Sequence, residues 1–295
     1  MTGKSARFDL KRNLRQGFLI LGTLVIMGAF ENCADTRFSS EDTANKSTDI
    51  SPGDINPGDN PGDHPESCET VINQLDGKVY LLFVVDTSGS NIGIQVPEPT
   101  DPDKRVRSGS IQAFFDDHKH KVGFHWGFIT FGGKREDESI PDIKALINSG
   151  SDSAPSFTNN LSVVQSAIDR FNNMDDFGAT PYLSALETAS RALRGIGSAD
   201  PNAKYIVVFM SDGLPTGNYT DDHILDEVNK IVGHYPGQTT FNTVYYGGIS
   251  RSSANRLKRM ADTGAGRFLD TNANPSGKNF QISNVINVPG VVCTH

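Results

Sequence analysis

Short apolar runs recur along the second part of the chain, and longer amphipathic stretches separate them. The first run is Val79-Tyr-Leu-Leu-Phe-Val-Val85. A continuous run of this length is typical of a strand that is buried on both faces. The same pattern predicts strands over 79–85, 122–131, 205–210, 240–246 and 267–269.

The stretches between these runs carry apolar residues at helical spacing. Ile224, Val228 and Ile231, for example, lie on one stripe of a helix. Further helices are predicted from Asp101-Pro102 onward, over 161–171, over 183–193 and over 254–261. Strands that alternate with helices predict a Rossmann-like, doubly wound α/β fold, with a mainly parallel six-stranded sheet and helices on both faces. The apolar pattern locates five of these strands.

The first 32 residues have the composition of an export signal. Five basic residues between Lys4 and Arg15 precede an uncharged apolar run at 17–30, which is short for a membrane span. Cys33 follows almost at once, so the segment resembles a bacterial lipoprotein signal, which implies cleavage after residue 32 and a lipid on Cys33. Ala34 resembles the residue found there in lipoproteins of the outer membrane.

One part of this signal departs from the lipoprotein pattern. Phe30-Glu31-Asn32 stands where such signals prefer an aliphatic residue followed by two small ones. An uncleaved anchor in the inner membrane is therefore the alternative to an outer-membrane lipoprotein at the cell envelope, and whether that lipoprotein faces the periplasm or the cell surface is open.

Residues 34–67 are polar and nearly free of apolar side chains. Pro-Gly-Asp occurs three times between positions 51 and 63, and Pro-Gly favours turns. This composition cannot bury a core, so we interpret 33–67 as a lipidated cysteine followed by a flexible, solvated tether. The chain then divides into a signal peptide (1–32), the tether (33–67) and one domain (68–295).

The charge of the chain limits the classes of partner. The chain has 27 Lys and Arg, 35 Asp and Glu and a net charge of −8. Residues 1–32 hold five basic and two acidic residues, so the chain without them has a net charge of −11. This balance argues against nucleic acid, and against an anionic membrane surface as an electrostatic partner. Membrane contact is expected only through the N-terminal lipid or anchor.

Three cysteines are present, and Cys33 is assigned to lipid attachment. Cys68 and Cys293 then remain, near the two ends of the predicted domain. An exported chain lies where disulfides persist, and domain termini are often close together, so we expect these two residues to pair. Two unrelated free thiols are the alternative.

Two carboxylates and three hydroxyls stand at three places where an element begins or ends. Asp86, Ser88 and Ser90 follow the first strand, Thr180 opens a helix, and Asp212 ends a later strand. The carboxyl ends of parallel strands meet at one edge of a sheet, so both aspartates are expected there. These oxygen donors suit a small divalent cation that coordinates at about 2.1 Å.

Each of these residues also has an ordinary structural explanation. Thr180 followed by Pro181 is typical of a helix N-cap and first helical position. The serines and Asp212-Gly213 are typical of turns. Their joint occurrence, in this order and in these element contexts, favours a shared site.

Together these residues resemble the metal-ion-dependent adhesion site of von Willebrand factor A (vWA) domains, over residues 76–290. The resemblance implies a vWA domain in which Asp86, Ser88, Ser90, Thr180 and Asp212 bind the metal. It also implies that the ion binds an Asp or Glu of a partner protein, which is an adhesion function and not an enzymatic one. The donor set favours Mg²⁺, with Mn²⁺ and Ca²⁺ as alternatives.

Residues 91–100 lie between Ser90 and the next helix and are longer than the direct connection usual in this family. The insertion carries Ile and Val side chains and two prolines, and it has to emerge on the metal face. It is either a recognition loop or an ordinary insertion. At the level of the whole protein, the alternative to an adhesion module is a structural or assembly subunit of the envelope whose metal only stabilises the fold.

Overall fold

A computed structural model describes residues 71–94, 96, 98–134, 137, 140–217, 219–248, 250–273, 281–286 and 291–293. All of them belong to one structural unit, Gly62–His295. The predicted signal peptide, Cys33, Cys68 and the tether lie outside the described residues. Within the described ranges, none of the helices has both the length and the hydropathy that a membrane span needs.

A mainly parallel sheet forms the centre of this unit. Its strands follow the spatial order β3-β2-β1-β4-β5-β6, and β7 pairs with the beginning of β1. Strand β3 is antiparallel to β2 at one edge, and β7 is antiparallel to β1. The described strands are β1 (Val71–Asp86), β2 (Val122–Gly133), β3 (Pro141–Ala145), β4 (Lys204–Ser211), β5 (Thr239–Tyr245), β6 (Ala265–Asp270) and β7 (Val291–Cys293).

Helices cover both faces of the sheet. The described helices are α1 (Ser110–His118), α2 (Leu161–Asn172), α3 (Tyr182–Arg194), α4 (Asp221–Gly233) and α5 (Arg251–Thr263). Successive residues of β1 point to opposite faces, so Phe83 packs in a core with α1 and α2, whereas Leu82 and Val84 pack in a second core with α3, α4 and α5. The doubly wound α/β fold predicted from the sequence is therefore confirmed.

The strand order places a crevice beside β1. The chain runs from β1 to β2 on one side of β1 and returns to β4 on its other side, with Val85 opposite Met210 in the parallel β1–β4 pair. Strand order thus reverses between β1 and β4. In open α/β sheets, ligands bind at the carboxyl ends of the strands beside such a reversal. Asp86 is the last residue of β1, and Asp212 directly follows β4.

Two local predictions were incomplete or wrong. The sixth strand of the main sheet is β3, a short edge strand with Asp142 and Lys144 that no apolar run marks. The helix predicted from Asp101-Pro102 begins later, with a π-helical turn at Arg105–Gly109 that leads into α1. The side chain of Asp101 accepts hydrogen bonds from the backbone N–H groups of Val106 and Arg107, so it caps this helix from outside the first turn.

The paired ends of β1 and β7 bear on the predicted Cys68–Cys293 disulfide. Val71 lies opposite Cys293 in the antiparallel ladder, three residues after Cys68. We expect mass spectrometry of the protein, digested without reduction, to find the two cysteines linked. Disulfide Cα atoms lie within about 7 Å, and three extended residues span about 10 Å. A linked pair therefore requires a turn between Cys68 and Val71, and free thiols at both positions would contradict the prediction.

Candidate metal centre

Asp86 is fully buried where β1 leaves the sheet. Its Oδ1 accepts the backbone N–H of Ser88 at 2.7 Å, and its Oδ2 accepts the hydroxyl of Ser211 at 2.5 Å. The first bond closes the turn that follows β1. The second ties the end of β1 to the end of the neighbouring strand β4. Asp86 therefore holds both carboxyl-terminal strand ends in one place.

A chain of hydroxyl groups connects this turn to Asp212. The Oγ atoms of Ser88 and Ser90 are 3.1 Å apart, and Ser90 Oγ donates to Asp212 Oδ1 at 2.9 Å. Thr100 Oγ1 donates to the other carboxylate oxygen of Asp212 at 2.5 Å. Hydrogen bonds thus link four of the five residues predicted as metal ligands, namely Asp86, Ser88, Ser90 and Asp212.

Thr180 reaches the same place from a third segment. It lines one cavity together with Ser90 and Asp212. The preceding Gly178 accepts the backbone N–H of Gly89 through its carbonyl group at 3.0 Å. Gly178 has φ +67°, and a Cβ there would lie 2.7 Å from the Cα of Gly133, so glycine is needed at this approach.

The predicted capping role of Thr180 is wrong. Helix α3 begins at Tyr182, with Pro181 in the N-cap position and no side-chain cap. The N–H of Tyr182 instead donates to the hydroxyl of Tyr219 at 3.1 Å. The hydroxyl of Thr180 therefore does not cap this helix.

The electrostatics of the pair favour a cation. Burial raises the pKa of Asp86, and the nearby Asp212 carboxylate raises it further. Hydrogen bonds from Ser211 and Ser88 lower it, and the resulting pKa is about 7. Burial also raises the pKa of Asp212, against hydrogen bonds from Thr100 and Ser90. Two close, buried carboxylates repel one another, and a divalent cation between them would remove that cost.

The donor set fits a hard cation better than a soft one. Within the described ranges, no group of three or more His, Cys, Asp or Glu side chains is placed to hold a metal. The candidate centre has only two carboxylates, and hydroxyl groups provide its other oxygens. Oxygen donors without imidazole or thiolate suit Mg²⁺ or Mn²⁺, so these residues fit the ion that the sequence predicts.

The inserted loop forms one wall of the cavity at the centre. The cavity has a volume of about 720 Å³, and its lining includes Ile94, Val96 and Thr100 from the loop and Leu214 from the segment after β4. The predicted position of the loop on this face is confirmed. Ile94 and Val96 are half-buried against the cavity, whereas Leu214 is 46% exposed at its rim.

Sequence reasoning missed three residues of this region. Thr100 and Ser211 bind the two aspartates through their hydroxyls, and Arg107 donates to the backbone carbonyl of Asp86 at 2.7 Å. Ser211 could have been found from the sequence, because it directly precedes the predicted ligand Asp212. Arg107 lies beside the apolar positions of a predicted helix, where a charged residue is ordinarily assigned to the solvent face.

No family model and no curated protein sequence matches this chain. Solved structures do match. They include the manganese-loaded TRAP protein of Plasmodium vivax, at 16% identity and a TM-score of 0.42, over 64% of each chain. A von Willebrand factor type A structure from Catenulispora acidiphila matches at 13% identity and 0.46, over 65% of this chain and 38% of that one.

A third match is the vWF domain of the pilus tip protein Mfa5 from Porphyromonas gingivalis, at 13% identity and a TM-score of 0.42. It covers 69% of this chain and 93% of the Mfa5 chain. The matches cover less than two thirds of the TRAP and Catenulispora acidiphila chains. At these identities and scores, the fold and the candidate centre are assigned from the strand order and side-chain geometry described above.

Proposed function

We propose that this domain is a metal-dependent protein-binding module that engages a carboxylate of a partner protein. The observation that carries the proposal is the hydroxyl chain from Ser88 through Ser90 to Asp212, which borders the cavity that Thr180 also lines. Asp86, Ser88, Ser90, Thr180 and Asp212 would hold the ion, with Mg²⁺ as the expected one.

The composition of the donor set explains why the partner group should be an anion. Two carboxylates balance the charge of a divalent ion, while three neutral hydroxyls add none. When bound, the cation supplies an electrophilic centre with a coordination position for an Asp or Glu side chain of the partner. The cavity beside Ser90 and Thr180 gives such a side chain a path to the centre.

The cavity wall supports a protein partner rather than a free small anion. Ile94, Val96 and Leu214 present apolar surface next to the polar centre. A small anion has no apolar part to bury there, whereas a protein segment presents both kinds of group. In this proposal the insertion at 91–100 is the recognition loop.

Acetate tests the predicted carboxylate position, and acetamide is its matched neutral control. We expect Mn²⁺ to bind the chain of residues 1–295 and to enhance the relaxation of water protons. Acetate should then lower the enhancement, because a carboxylate that binds the ion displaces a coordinated water, and acetamide should not. Equal effects of acetate and acetamide would contradict the proposed anion position.

A structural metal is the second candidate function, and the burial of Asp86 favours it. Asp86 is fully buried and already tied to β4 through Ser211, so an ion there would strengthen the junction of two strands. This alternative expects Mn²⁺ to raise the unfolding temperature while acetate leaves the relaxation of water protons unchanged.

We also propose that the domain is held at the cell envelope by its N-terminal segment. The basic-apolar-cysteine order of residues 4–33 supports lipidation of Cys33, with an uncleaved anchor as the alternative. In either form the tether 33–67 would separate the domain from the membrane by a few tens of ångströms, at about 5–6 Å × √n.

A further inference from the structure

A fully buried arginine, Arg107, lies directly behind the candidate metal centre. The Arg107 side chain has no exposed surface, and its guanidinium is close to the rings of Phe171 and Tyr246, at 5.7 and 5.8 Å from their centroids. A buried guanidinium is costly unless nearly all of its N–H groups are paired. The contacts of Arg107 meet this requirement.

Arg107 contacts three different segments of the chain. Its Nη1 donates to the backbone carbonyl of Asp86 at 2.7 Å. Its Nε and Nη2 donate to the side chain and the backbone carbonyl of Asp101 at 3.0 and 2.8 Å. Its two Nη atoms also donate to the two carboxylate oxygens of Asp176, both at 2.9 Å.

Each of these segments carries a part of the candidate centre. Asp86 is itself a predicted ligand. Asp101 directly follows Thr100, whose hydroxyl binds Asp212. Asp176 lies four residues before Thr180, in the connection between α2 and α3. One guanidinium therefore contacts the two segments that carry Asp86 and Thr180, and also the loop whose Thr100 holds the ligand Asp212.

Lysine could not replace arginine in this role. A guanidinium has five N–H donors in a rigid plane and can bind a carboxylate through two parallel bonds, whereas an ammonium group is a point charge. Burial lowers the pKa of Arg107, but Tyr246, Asp176 and Asp101 outweigh that effect and raise it overall, so the group stays charged. Asp101 and Asp176 are 4% and 2% exposed, so all three charges are buried together.

We propose that Arg107 is a positioning residue of the metal centre: it presets the spacing of the segments that carry Asp86 and Thr180 and of the loop whose Thr100 holds Asp212, and thereby raises affinity for the ion. This inference rests on the proposed metal-binding function. Residues that hold metal ligands in place typically contribute 10–100-fold to metal affinity. A purely structural role would instead change the stability of the fold and leave the affinity of the folded protein unchanged.

The test compares Arg107→Lys with Arg170→Lys in the chain of residues 1–295, with Mn²⁺ as the probe. Arg170 forms the same kind of two-bond pair with Asp152, at 3.2 and 2.7 Å, but on the surface. Mn²⁺ affinity is measured by calorimetric titration. The conditions are chosen so that urea unfolding, recorded in chelator, shows each variant to be folded. We expect binding to be 10–100-fold weaker in Arg107→Lys and unchanged in Arg170→Lys.

A second variant covers the case in which Arg107→Lys does not fold. Asp101→Asn, Arg107→Met and Asp176→Asn together remove all three buried charges, a change that folds often tolerate better than one unpaired charge. The same loss of Mn²⁺ affinity is expected. Unchanged affinity in a folded variant at position 107 overturns this inference alone, whereas a wild-type chain that binds no Mn²⁺ overturns the proposed function as well.

Discussion

Replacing Asp212 with asparagine is expected to abolish Mn²⁺ and Mg²⁺ binding while the domain stays folded. The amide keeps the size of the carboxylate and still accepts from Ser90, which donates to Asp212 Oδ1 in the native protein. It removes one of the two negative charges at the centre. The ion would then keep one carboxylate and three neutral hydroxyls, too little charge to compensate for its lost hydration.

Without metal, the same substitution should not lower stability. Asp212 is only 5% exposed, and its charge raises the pKa of Asp86. Removing that charge removes a repulsion between buried groups, so the urea midpoint in chelator should equal or exceed that of the wild type. Calorimetric titration measures the binding, and circular dichroism checks the fold.

Asp262→Asn is the matched control for this substitution. Asp262 lies on α5, is 59% exposed and pairs with Lys258 on the surface. The Asp262→Asn variant loses the same charge far from the cavity, so it should bind Mn²⁺ as the wild type does. Wild-type affinity in a folded Asp212→Asn variant would show that Asp212 is not a ligand.

The parts of the fold that follow from burial could be predicted from the sequence. Strands β1 and β4 are buried on both faces, so their residues form continuous apolar runs that end at Asp86 and Asp212. The sequence therefore predicts where both strands end, and these ends give the positions of both carboxylates. Strand β3 lies at the edge of the sheet and contains Asp142 and Lys144, so its sequence resembles a loop.

The parts of the site that depend on long-range contacts could not be predicted. Thr100 donates a hydrogen bond to Asp212, which lies 112 positions away in the sequence, and Arg107 donates to Asp176, which lies 69 positions away. No spacing rule connects residues at such distances, because only the folded sheet brings their segments together. The side chain of Arg107 differs from a solvated helix residue only in its partners, which the local sequence does not show.

The pH dependence of stability gives a second large expected effect. Asp86 ionises at its ordinary pKa of 3.8 in the unfolded chain, and burial followed by the charge of Asp212 raises that pKa to about 7 in the fold. Between these values the folded protein holds a proton that the unfolded chain has released. The stability of the metal-free protein should therefore fall as pH rises from about 4 to 7.

The size of this effect follows from the shift. Each pKa unit corresponds to about 1.4 kcal/mol, so ionisation of Asp86 beside the Asp212 carboxylate costs the metal-free fold several kcal/mol, on the order of 4, above pH 7. Tyr182 and Tyr246 are buried near Asp86, but burial raises their pKa values well above the ordinary 10, so both stay neutral in this interval. Arg107 stays charged throughout.

Two histidines contribute in the opposite direction and have to be separated. Burial lowers the pKa of His118 and of His125, so their contribution to stability rises with pH through about 6.5. The measurement is therefore a difference: urea unfolding in chelator at pH 4.5 and 7.5, for the wild type and for Asp86→Asn. The histidines are present in both proteins and cancel.

We expect the wild type to lose stability relative to Asp86→Asn as pH rises, and saturating Mg²⁺ to reverse the trend in the wild type alone. The reversal follows because an ion that needs ionised Asp86 binds more tightly once the proton is released. Parallel pH profiles for the two proteins in chelator would show that Asp86 ionises without cost. The buried pair of carboxylates would then not be what favours a cation at the junction of β1 and β4.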